Sequence, residues 1–446
     1  MRAKGVLVFA LLFAAAAHGA AAQSLTLRAA VDEALLRNPS IAAASARKRV
    51  AAAREGVARG ARLPRVDFSE SATRGNNPVF VFGSLLEQGE FAARHFDPAF
   101  LNAPNALTNY RASLTARYAM FDRFRAAEWI RQSRHAIDHA DVELEDSQQR
   151  VRSQAVARFY GVIVAEAKVV TAKEAVVAAD ADAKATRDRF DQGLLVESDA
   201  LSADVQLASF RRRLIAAESE LAIARAALAT LLQRPRTDSL TLTGTLPTVS
   251  SDEPDLDGTV ARAVARGPSV RIASIRTADA ISRLRMERGA ALPRVDTFAT
   301  IGASGSTFGR RNSDHTGGVA ITLDLFDRAR PGRIGAARAE IEESRAGEAI
   351  VRDAVTMEVV AAWHRQRAAR ETVTVASAAV EQAQAAARIV RDRYEQGLIT
   401  INEHLRAQTE FVSARFELLA AQYESVAARA ELLRATGDLD DVQPFI

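Results

Sequence analysis

The sequence predicts a mainly α fold with a small β part, in which a strand pair and a long α-helical hairpin occur twice. Three observations predict this fold. Residues 105–234 and 332–443 contain no proline, and proline-free runs of that length are typical of long helices because proline breaks a helix interior. Short motifs recur in the same order in both halves of the chain. Four segments alternate between apolar and polar residues with the period of a β-strand.

The first 22 residues are predicted to be a secretory signal peptide. Arg2 and Lys4 form a charged start, residues 6–17 form an apolar stretch, and the three alanines at 20–22 offer small residues for cleavage. The alternative is a membrane anchor, but the stretch is short for a span of about 20 residues. No later segment has about 18 consecutive apolar residues, so a membrane role would require strands.

The recurring motifs define two structural repeats, at residues 23–234 and 257–436. The matching pairs are Leu63–Asp67 with Leu292–Asp296, Phe121–Arg123 with Phe326–Arg328, and Arg189–Leu194 with Arg393–Leu398. The spacing within a pair is 229 residues for the first and 205 or 204 for the others, so the first repeat contains an insertion of 24 residues. We assign this insertion to an enlarged loop at 74–109, which is rich in Asn, Gly, Pro and Phe.

Each repeat begins with two short helices, because a proline within the helical stretch marks a stop and a restart. These prolines are Pro39 and Pro268. Between the repeats, residues 235–256 are predicted to be a linker in which Leu240–Gly244 forms a small strand-and-loop belt. Residues 437–446 are predicted to be a C-terminal tail.

Strands are predicted at 66–73, 110–121, 295–304 and 318–326, where apolar and polar residues alternate. Alternation over about 10 residues is typical of transmembrane barrel strands. A soluble antiparallel sheet is an equal alternative from the strands alone. Four strands are too few to close a membrane barrel, which starts at about eight, and an open sheet edge is not tolerated in lipid. Membrane-spanning strands would therefore require several copies of the chain to share one barrel.

The helix lengths agree with one another at about 1.5 Å per residue. Long helices are predicted at 125–192 and 332–396, each about 100 Å in length. In each repeat, a returning helix of about 60 Å and a short helix of about 35 Å together match that length. These shorter helices are predicted at 195–234, 399–436, 40–62 and 269–290.

In this duplicated order the mature chain resembles the TolC family of outer-membrane efflux channels over essentially its whole length. The resemblance also rests on the step Leu325-Phe326-Asp327 after a strand pair and on two glycine-leucine turns between helices. It implies a homotrimer in which three protomers contribute 3 × 4 = 12 strands to an outer-membrane β-barrel, continued by a periplasmic α-helical coiled-coil barrel.

The resemblance implies passive conduction of substrates to the exterior, in a tripartite efflux or type I secretion system. The implied partners are an inner-membrane transporter, which supplies the energy, and a periplasmic adaptor of the membrane-fusion type. The alternative is a non-channel periplasmic coiled-coil scaffold or adaptor.

The resemblance assigns two kinds of site. Gly193, Leu194, Gly397 and Leu398 match the hairpin tips that meet the adaptor in this family, although they could instead only turn the chain.

Asp199 and Glu403, six residues after the tip glycines, match acidic residues of the pore constriction. Arg406 stands where the family can carry a further acid, and Ser202 is its counterpart in the first repeat. Pairing of Glu403 with Arg406 and a purely solvated helix face are therefore alternatives.

Other functions have little support. The chain has no cysteine and no phosphate-binding, nucleophile-elbow or Rossmann glycine pattern, so we expect no enzyme and no cofactor. The formal charge of +4 gives little support for nucleic-acid binding. His135, Asp138 and His139 have a helical metal-ligand spacing, but no third strong ligand is evident and no metal site is predicted. The basic run Arg211–Arg213 is predicted to be an exposed helix surface.

Overall fold

The structure is a computed structural model that describes residues 25–235, 241–247 and 255–445. The predicted signal peptide lies outside these residues, as does most of the predicted linker. Long helices dominate the described part, and a single four-stranded sheet lies beyond one end of them.

The described residues form ten α-helices and four strands. The helices are α1 Leu27–Arg37, α2 Pro39–Gly60, α3 Pro78–Glu87, α4 Pro98–Asn102, α5 Arg125–Asp191, α6 Glu197–Leu231, α7 Leu256–Arg266, α8 Pro268–Gly289, α9 Arg330–Glu395 and α10 Ile401–Thr436. The strands are β1 Arg65–Gly75, β2 Leu107–Phe121, β3 Arg294–Gly305 and β4 Asn312–Thr322. The long and returning helices begin and end within three residues of their predicted limits.

Each long helix packs against two shorter helices in succession. Helix α5 contacts α2 and α6, and α9 contacts α8 and α10. Two ion pairs show where the shorter helices lie along α5. Lys48 of α2 pairs with Asp141 in the first half of α5, and Glu220 of α6 pairs with Lys168 in the second half of α5. The end-to-end arrangement predicted from helix lengths is therefore present. Within the described ranges, no helix is long and apolar enough to cross a membrane.

The sheet is fully antiparallel, with the strand order β1-β2-β3-β4. Strands β2 and β3 pair along most of their length, with Leu114 opposite Ile301 and Thr115 opposite Thr300. The sheet therefore joins the two repeats. Within the described chain β1 and β4 each pair with one strand only, so both edges of the sheet are open.

The two faces of the sheet differ in polarity, as the alternation predicted. The register places one set of large apolar side chains on a shared face, where they are exposed. This apolar face carries Val66, Phe68, Leu114, Ile301, Val319 and Ile321. The opposite, polar face carries Asn109, Arg111, Ser113, Thr115, Thr300, Ser304 and Asp314.

The last strand is displaced from its predicted limits of 318–326. It starts six residues earlier, because Gly317 and Gly318 interrupt the side-chain alternation without interrupting the backbone pairing with β3. It also ends earlier, at Thr322. There, Arg123 donates to the Thr322 carbonyl at 3.2 Å and to Asp324 at 2.6 Å, which ties the end of β4 to the segment between β2 and α5.

The inserted segment is not the simple loop that we predicted at 74–109. It contains α3, a 3₁₀ turn at Ala93–Phe96 and α4. The residues that suggested a loop are helix caps: Pro78 and Pro98 are the first helical residues, and the side chains of Asn77 and Asp97 accept backbone N–H hydrogen bonds from the first turns. Pro at that position and Asn or Asp before it are the preferred start of a helix.

A hydrophobic core lies near the middle of α5, where both repeats and the linker meet. Its members include Leu27, Val31, Phe159, Leu228, Leu232 and Phe445. In the linker, Leu242 forms a parallel bridge with Leu25 through backbone hydrogen bonds of 2.8 and 3.0 Å. The structure describes residues 241–244 of the predicted belt, which contain this bridge, whereas Leu240 lies outside the described residues.

The C-terminal tail packs into this core. Leu439, Val442 and Phe445 are buried. The side chain of Gln149 on α5 donates to the Gly437 carbonyl at 3.1 Å and accepts from the Leu439 N–H at 3.1 Å. The tail therefore contributes to the stability of the helical part rather than trailing from it.

Replacing Phe445 with alanine should destabilise the protein strongly. The ring is 1% exposed, and removing a buried phenylalanine typically costs about 3–5 kcal/mol. Thermal unfolding of the purified protein in detergent would measure the effect. Gln443→Ala, an exposed neighbour, is the matched control, and equal melting temperatures for the two variants would contradict the packing.

The stability of the middle core should depend on pH through Glu33. Its carboxylate accepts hydrogen bonds from Arg234 at 2.6 and 2.9 Å and from Arg37 at 2.7 Å. The hydrogen bond from Arg234 holds the pKa of Glu33 below its usual value of 4.5. Because the pKa is lower in the folded state, this stabilisation is present at neutral pH and is lost as the pH falls through the folded-state pKa.

Glu33→Gln should therefore lower the free energy of unfolding at neutral pH by about 2 kcal/mol, the typical contribution of hydrogen bonds to a charged group. The difference from the unsubstituted chain should begin to shrink below the usual pKa of 4.5, where the carboxyl of the unfolded chain takes up a proton, and should vanish only below the lower pKa of the folded state. Thermal melts across this pH range would show it. A difference that stays constant with pH would contradict the role of the ionised carboxylate.

Candidate functional site

The two hairpin tips at the ends of the long helices have the same local structure. Gly193 and Gly397 have φ of 78° and 74°, the left-handed region that favours glycine. Each tip has the paired backbone hydrogen bonds of a Schellman motif. In the first, Gly193 N–H donates to Phe190 at 2.7 Å and Leu194 N–H to Arg189 at 2.9 Å. The second tip has the same hydrogen bonds. Glycine occurs at both positions because both turns require a positive φ.

The residue after each glycine is an exposed leucine. Leu194 is 69% exposed and Leu398 is 68% exposed. No neighbouring side chain lies within 4 Å of a Cβ built on either glycine, so the tips are open to solvent in the single chain. Each hairpin therefore presents one exposed apolar side chain at its end, where it is accessible to another protein.

The predicted acidic residues occupy equivalent positions in the two repeats. Asp199 is the third residue of α6 and is half-exposed, and Glu403 is the third residue of α10 and is exposed. Helices α6 and α10 contact each other close by, where Gln206 donates to Thr409 Oγ1 at 2.6 Å and to the Leu405 carbonyl at 3.2 Å. The structure therefore places both carboxylates at a similar level beside the tips.

Both acids also have a local structural role. Acidic side chains in the first turn of a helix interact favourably with its positive end. Thr400 caps α10 by accepting the Glu403 N–H at 3.4 Å, and its hydroxyl lies 3.5 Å from the Glu403 carboxylate. Among the residues that the structure describes, no ion pair joins Glu403 to Arg406, so the pairing alternative is not formed.

A cluster that sequence reasoning missed joins the two hairpins about two turns from the tips. His404 of α10 is buried, and its Nε2 lies 3.2 Å from Asp182 Oδ2 on α5. Its ring stacks on Tyr394 of α9 with centroids 5.1 Å apart, and the guanidinium of Arg189 lies 5.4 Å from the Tyr394 centroid. Alignment of the two repeats could have indicated this cluster, because the first repeat has Ala200 where the second has His404.

The other candidate groups do not assemble into a metal site. His135 Nδ1 lies 2.7 Å from Asp279 on α8, which makes it an interhelical contact. No group of three or more potential ligands is present in the described part of the chain. In the basic run, Arg211 donates to Asp180 at 3.2 Å and Arg213 donates to Ser413 at 3.3 Å. These arginines therefore tie neighbouring helices together.

Comparison with known proteins agrees with this architecture. A family model described as outer membrane efflux protein matches residues 30–233 and 259–438. The chain is 28% identical over 426 residues to Protein CyaE of Bordetella pertussis, covering 93% of this chain and 84% of that protein. It is 22% identical over 435 residues to outer membrane efflux protein BepC of Brucella suis, covering 94% and 87%.

Solved structures share the fold. The crystal structure of the Campylobacter jejuni CmeC outer membrane channel superposes with a TM-score of 0.79 at 17% identity, covering 93% of this chain and 87% of that one. The two family-matched ranges leave out residues 234–258.

Proposed function

The chain belongs to the outer membrane efflux protein family, and from that premise we propose that three copies of it form a single conduit from the periplasm to the exterior. As an outer-membrane channel, it places its sheet in the outer membrane and its helical tunnel in the periplasm. Membership of the family selects the channel over the alternative of a periplasmic scaffold or adaptor.

The observation that carries the proposal is the sheet with two open edges and one exposed apolar face. The edges are β1 and β4. In lipid, unpaired strand edges are not tolerated. If β4 of one copy pairs with β1 of the next, every copy has the same two contacts and the ring closes by rotation. Three copies then give 12 strands, with the apolar face toward lipid and the polar face toward the lumen.

The hairpin tips are proposed as the contact with a periplasmic adaptor. Leu194 and Leu398 are exposed apolar side chains on hydrogen-bonded turns, and burial of each would favour association by about 1.5–3 kcal/mol. In this arrangement the adaptor joins the conduit to an inner-membrane transporter that supplies the energy. The chain itself then needs no catalytic site and conducts substrates passively.

The entrance of the tunnel is proposed to lie beside the tips. Three copies of Asp199 and Glu403 would bring six carboxylates to one level, which produces a strong negative potential in a narrow passage. The contact of His404 with Asp182 and Tyr394 holds the second hairpin against the first. Opening of the entrance would separate the hairpins at this level.

Gene deletion in the host organism tests the function. Without the channel, cells should accumulate small-molecule substrates of the pump, or a secreted protein should disappear from the medium. The first result identifies efflux and the second identifies type I secretion. Expression of the full chain should restore the lost activity in either case. Unchanged retention of small molecules together with an unchanged set of secreted proteins would refute the conduit.

A further inference from the structure

The inserted segment, residues 76–106, connects the ends of β1 and β2 that are farthest from the long helices. Its main helix, α3, contacts β2, β3 and β4. In the proposed channel this end of the sheet is the outer mouth. The role of the insertion at the outer mouth, as inferred from its contacts, rests on the proposed 12-stranded barrel.

The attachment of α3 lies on the polar face of the sheet. The Glu87 carboxylate accepts hydrogen bonds from Asn109 and Ser304, both at 3.2 Å, and lies 3.3 Å from Arg111. Asn109 and Arg111 are two residues apart on β2 and thus share a face, and Arg111 is directly opposite Ser304. Asn109 and Ser304 are buried beneath the insertion.

Further contacts fix the end of the helix to the neighbouring strands. Gln88 is buried and donates to the Thr108 carbonyl and to Asn109 Oδ1, both at 3.0 Å. Asn312 of β4 donates to the Glu87 carbonyl at 3.0 Å. Arg111 is held in turn by Asp314 at 2.9 and 3.1 Å. Polar contacts therefore hold the helix against the polar face of the sheet.

Aromatic contacts keep the rest of the insertion compact. The ring of Phe91 lies 4.9 Å from Phe82 of α3 and 5.0 Å from Phe96, measured between centroids. Phe91 also contacts His95, which in turn contacts Phe100 of α4. The insertion therefore forms one small packed unit on the sheet.

The helix has a second apolar surface that the single chain does not cover. Its buried face has helical spacing and consists of Val81, Ser84, Leu85 and Gln88. Val79 and Leu86 lie on the opposite face, seven residues apart. They are 81% and 50% exposed. Because α3 lies on the polar face, which lines the lumen of such a barrel, this surface points toward the channel axis.

The dimensions leave little free passage at this level. Twelve strands spaced about 4.8 Å apart and tilted by about 40° enclose a backbone radius of about 12 Å. A helix with its side chains is about 10–12 Å in diameter. One helix on the lumenal face of each protomer therefore fills the cross-section.

We propose that the insertion is a plug in the outer mouth of the channel, in which Val79 and Leu86 of α3 contact the same residues of the other two copies. The occupant of the exposed apolar surface is thus a second copy of this chain. The contacts of Glu87 with Asn109, Ser304 and Arg111 hold each helix in place. The apolar contact at the axis closes the exit.

Labelling of single cysteines can test the plug, because the natural chain has none. Thr115 lies on the lumenal face, four residues inward from Arg111, and Leu114 beside it lies on the lipid face. Intact cells expressing Thr115→Cys would be treated with a small charged maleimide or with a bulky polyethylene-glycol maleimide. The bulky reagent should react at least about tenfold more slowly than the small one.

Adding Val79→Asp and Leu86→Asp should remove that difference, because carboxylates repel at the axis and the plug opens. If neither reagent labels the Thr115→Cys protein and both label it once the two aspartates are added, the plug excludes even the small reagent, and this result also supports the plug. Leu114→Cys is the control and should resist both reagents. Equal labelling by the bulky reagent in the parent and the double variant would overturn the plug. Val79→Ala with Leu86→Ala provides a milder variant if the aspartates prevent assembly.

Crosslinking distinguishes a failure of the proposed plug from a failure of the proposed barrel. With a short bifunctional thiol reagent, Val79→Cys should give covalent dimers of the protomer, whereas Ser84→Cys, on the buried face of the same helix, should not. Native mass spectrometry of each variant reports the oligomer independently. A trimer without Val79→Cys crosslinks would refute the plug and leave the conduit standing, whereas the absence of a trimer would refute the conduit itself.

Discussion

Replacing both tip leucines with aspartate should abolish transport while leaving the channel folded. In Leu194→Asp with Leu398→Asp, two apolar contacts per protomer are lost and a charge is placed in each. The loss of about 3–6 kcal/mol per protomer corresponds to an affinity for the adaptor that falls by more than about a hundredfold. Substrate accumulation in cells and co-purification of the adaptor would measure the effect.

Folding should be unaffected, because both leucines are exposed and the Schellman turns depend on the glycines and the backbone. Leu36→Asp is the matched control, since Leu36 is an exposed leucine at the end of α1, far from the tips. The control should transport normally. Normal transport by the double tip variant at normal expression would mean that the tips only turn the chain.

Removing the acidic residues beside the tips should change conduction. In Asp199→Ala with Glu403→Ala, six carboxylates leave the proposed constriction of the trimer. We expect higher single-channel conductance in planar bilayers, or a cation preference that falls toward none, because the negative potential is lost and the passage is wider. Asp199→Asn with Glu403→Gln separates the two causes, since it removes the charge and keeps the size.

The control for helix stability is Glu197→Ala. Glu197 is also an exposed acid in the first turn of α6, but it lies two residues from Asp199 and so points to a different side of the helix. Loss of any of these acids should cost about 0.3–1 kcal/mol of helix stability. A channel with unchanged conductance and ion preference in the double alanine variant would assign both acids to helix capping alone.

The long helices could be predicted closely from the sequence, because their signals are local. Proline-free runs, a glycine at each turn and the duplicated motifs set the limits of α5, α6, α9 and α10 to within three residues. The polarity of the sheet was also predictable, since successive side chains of a strand point to opposite faces and apolar residues recur at every second position in most of the strands. The tip glycines and leucines lie where the motif repeat placed them.

The features that were missed depend on contacts distant in sequence. The insertion resembles a loop by composition, yet its Asn-Pro and Asp-Pro steps start helices, and the first of these is held by Arg111, Ser304 and other residues of the sheet. The tail carries no helix or strand pattern, and its order comes from its contact with Gln149 and from its burial in the middle core. The position of His404 against Asp182 requires the packing of α10 on α5, which no local pattern reveals.

The single conduit built from three copies is tested most directly by imaging the purified oligomer. Membranes would be extracted with detergent, and single-particle images of the full chain would be collected. We expect a three-fold particle with a thin detergent belt around a 12-stranded barrel at one end and a helical tunnel of about 100 Å, the length that the helix rise gives for α5 and α9. A detergent-free monomer or dimer would contradict the shared barrel and the channel with it.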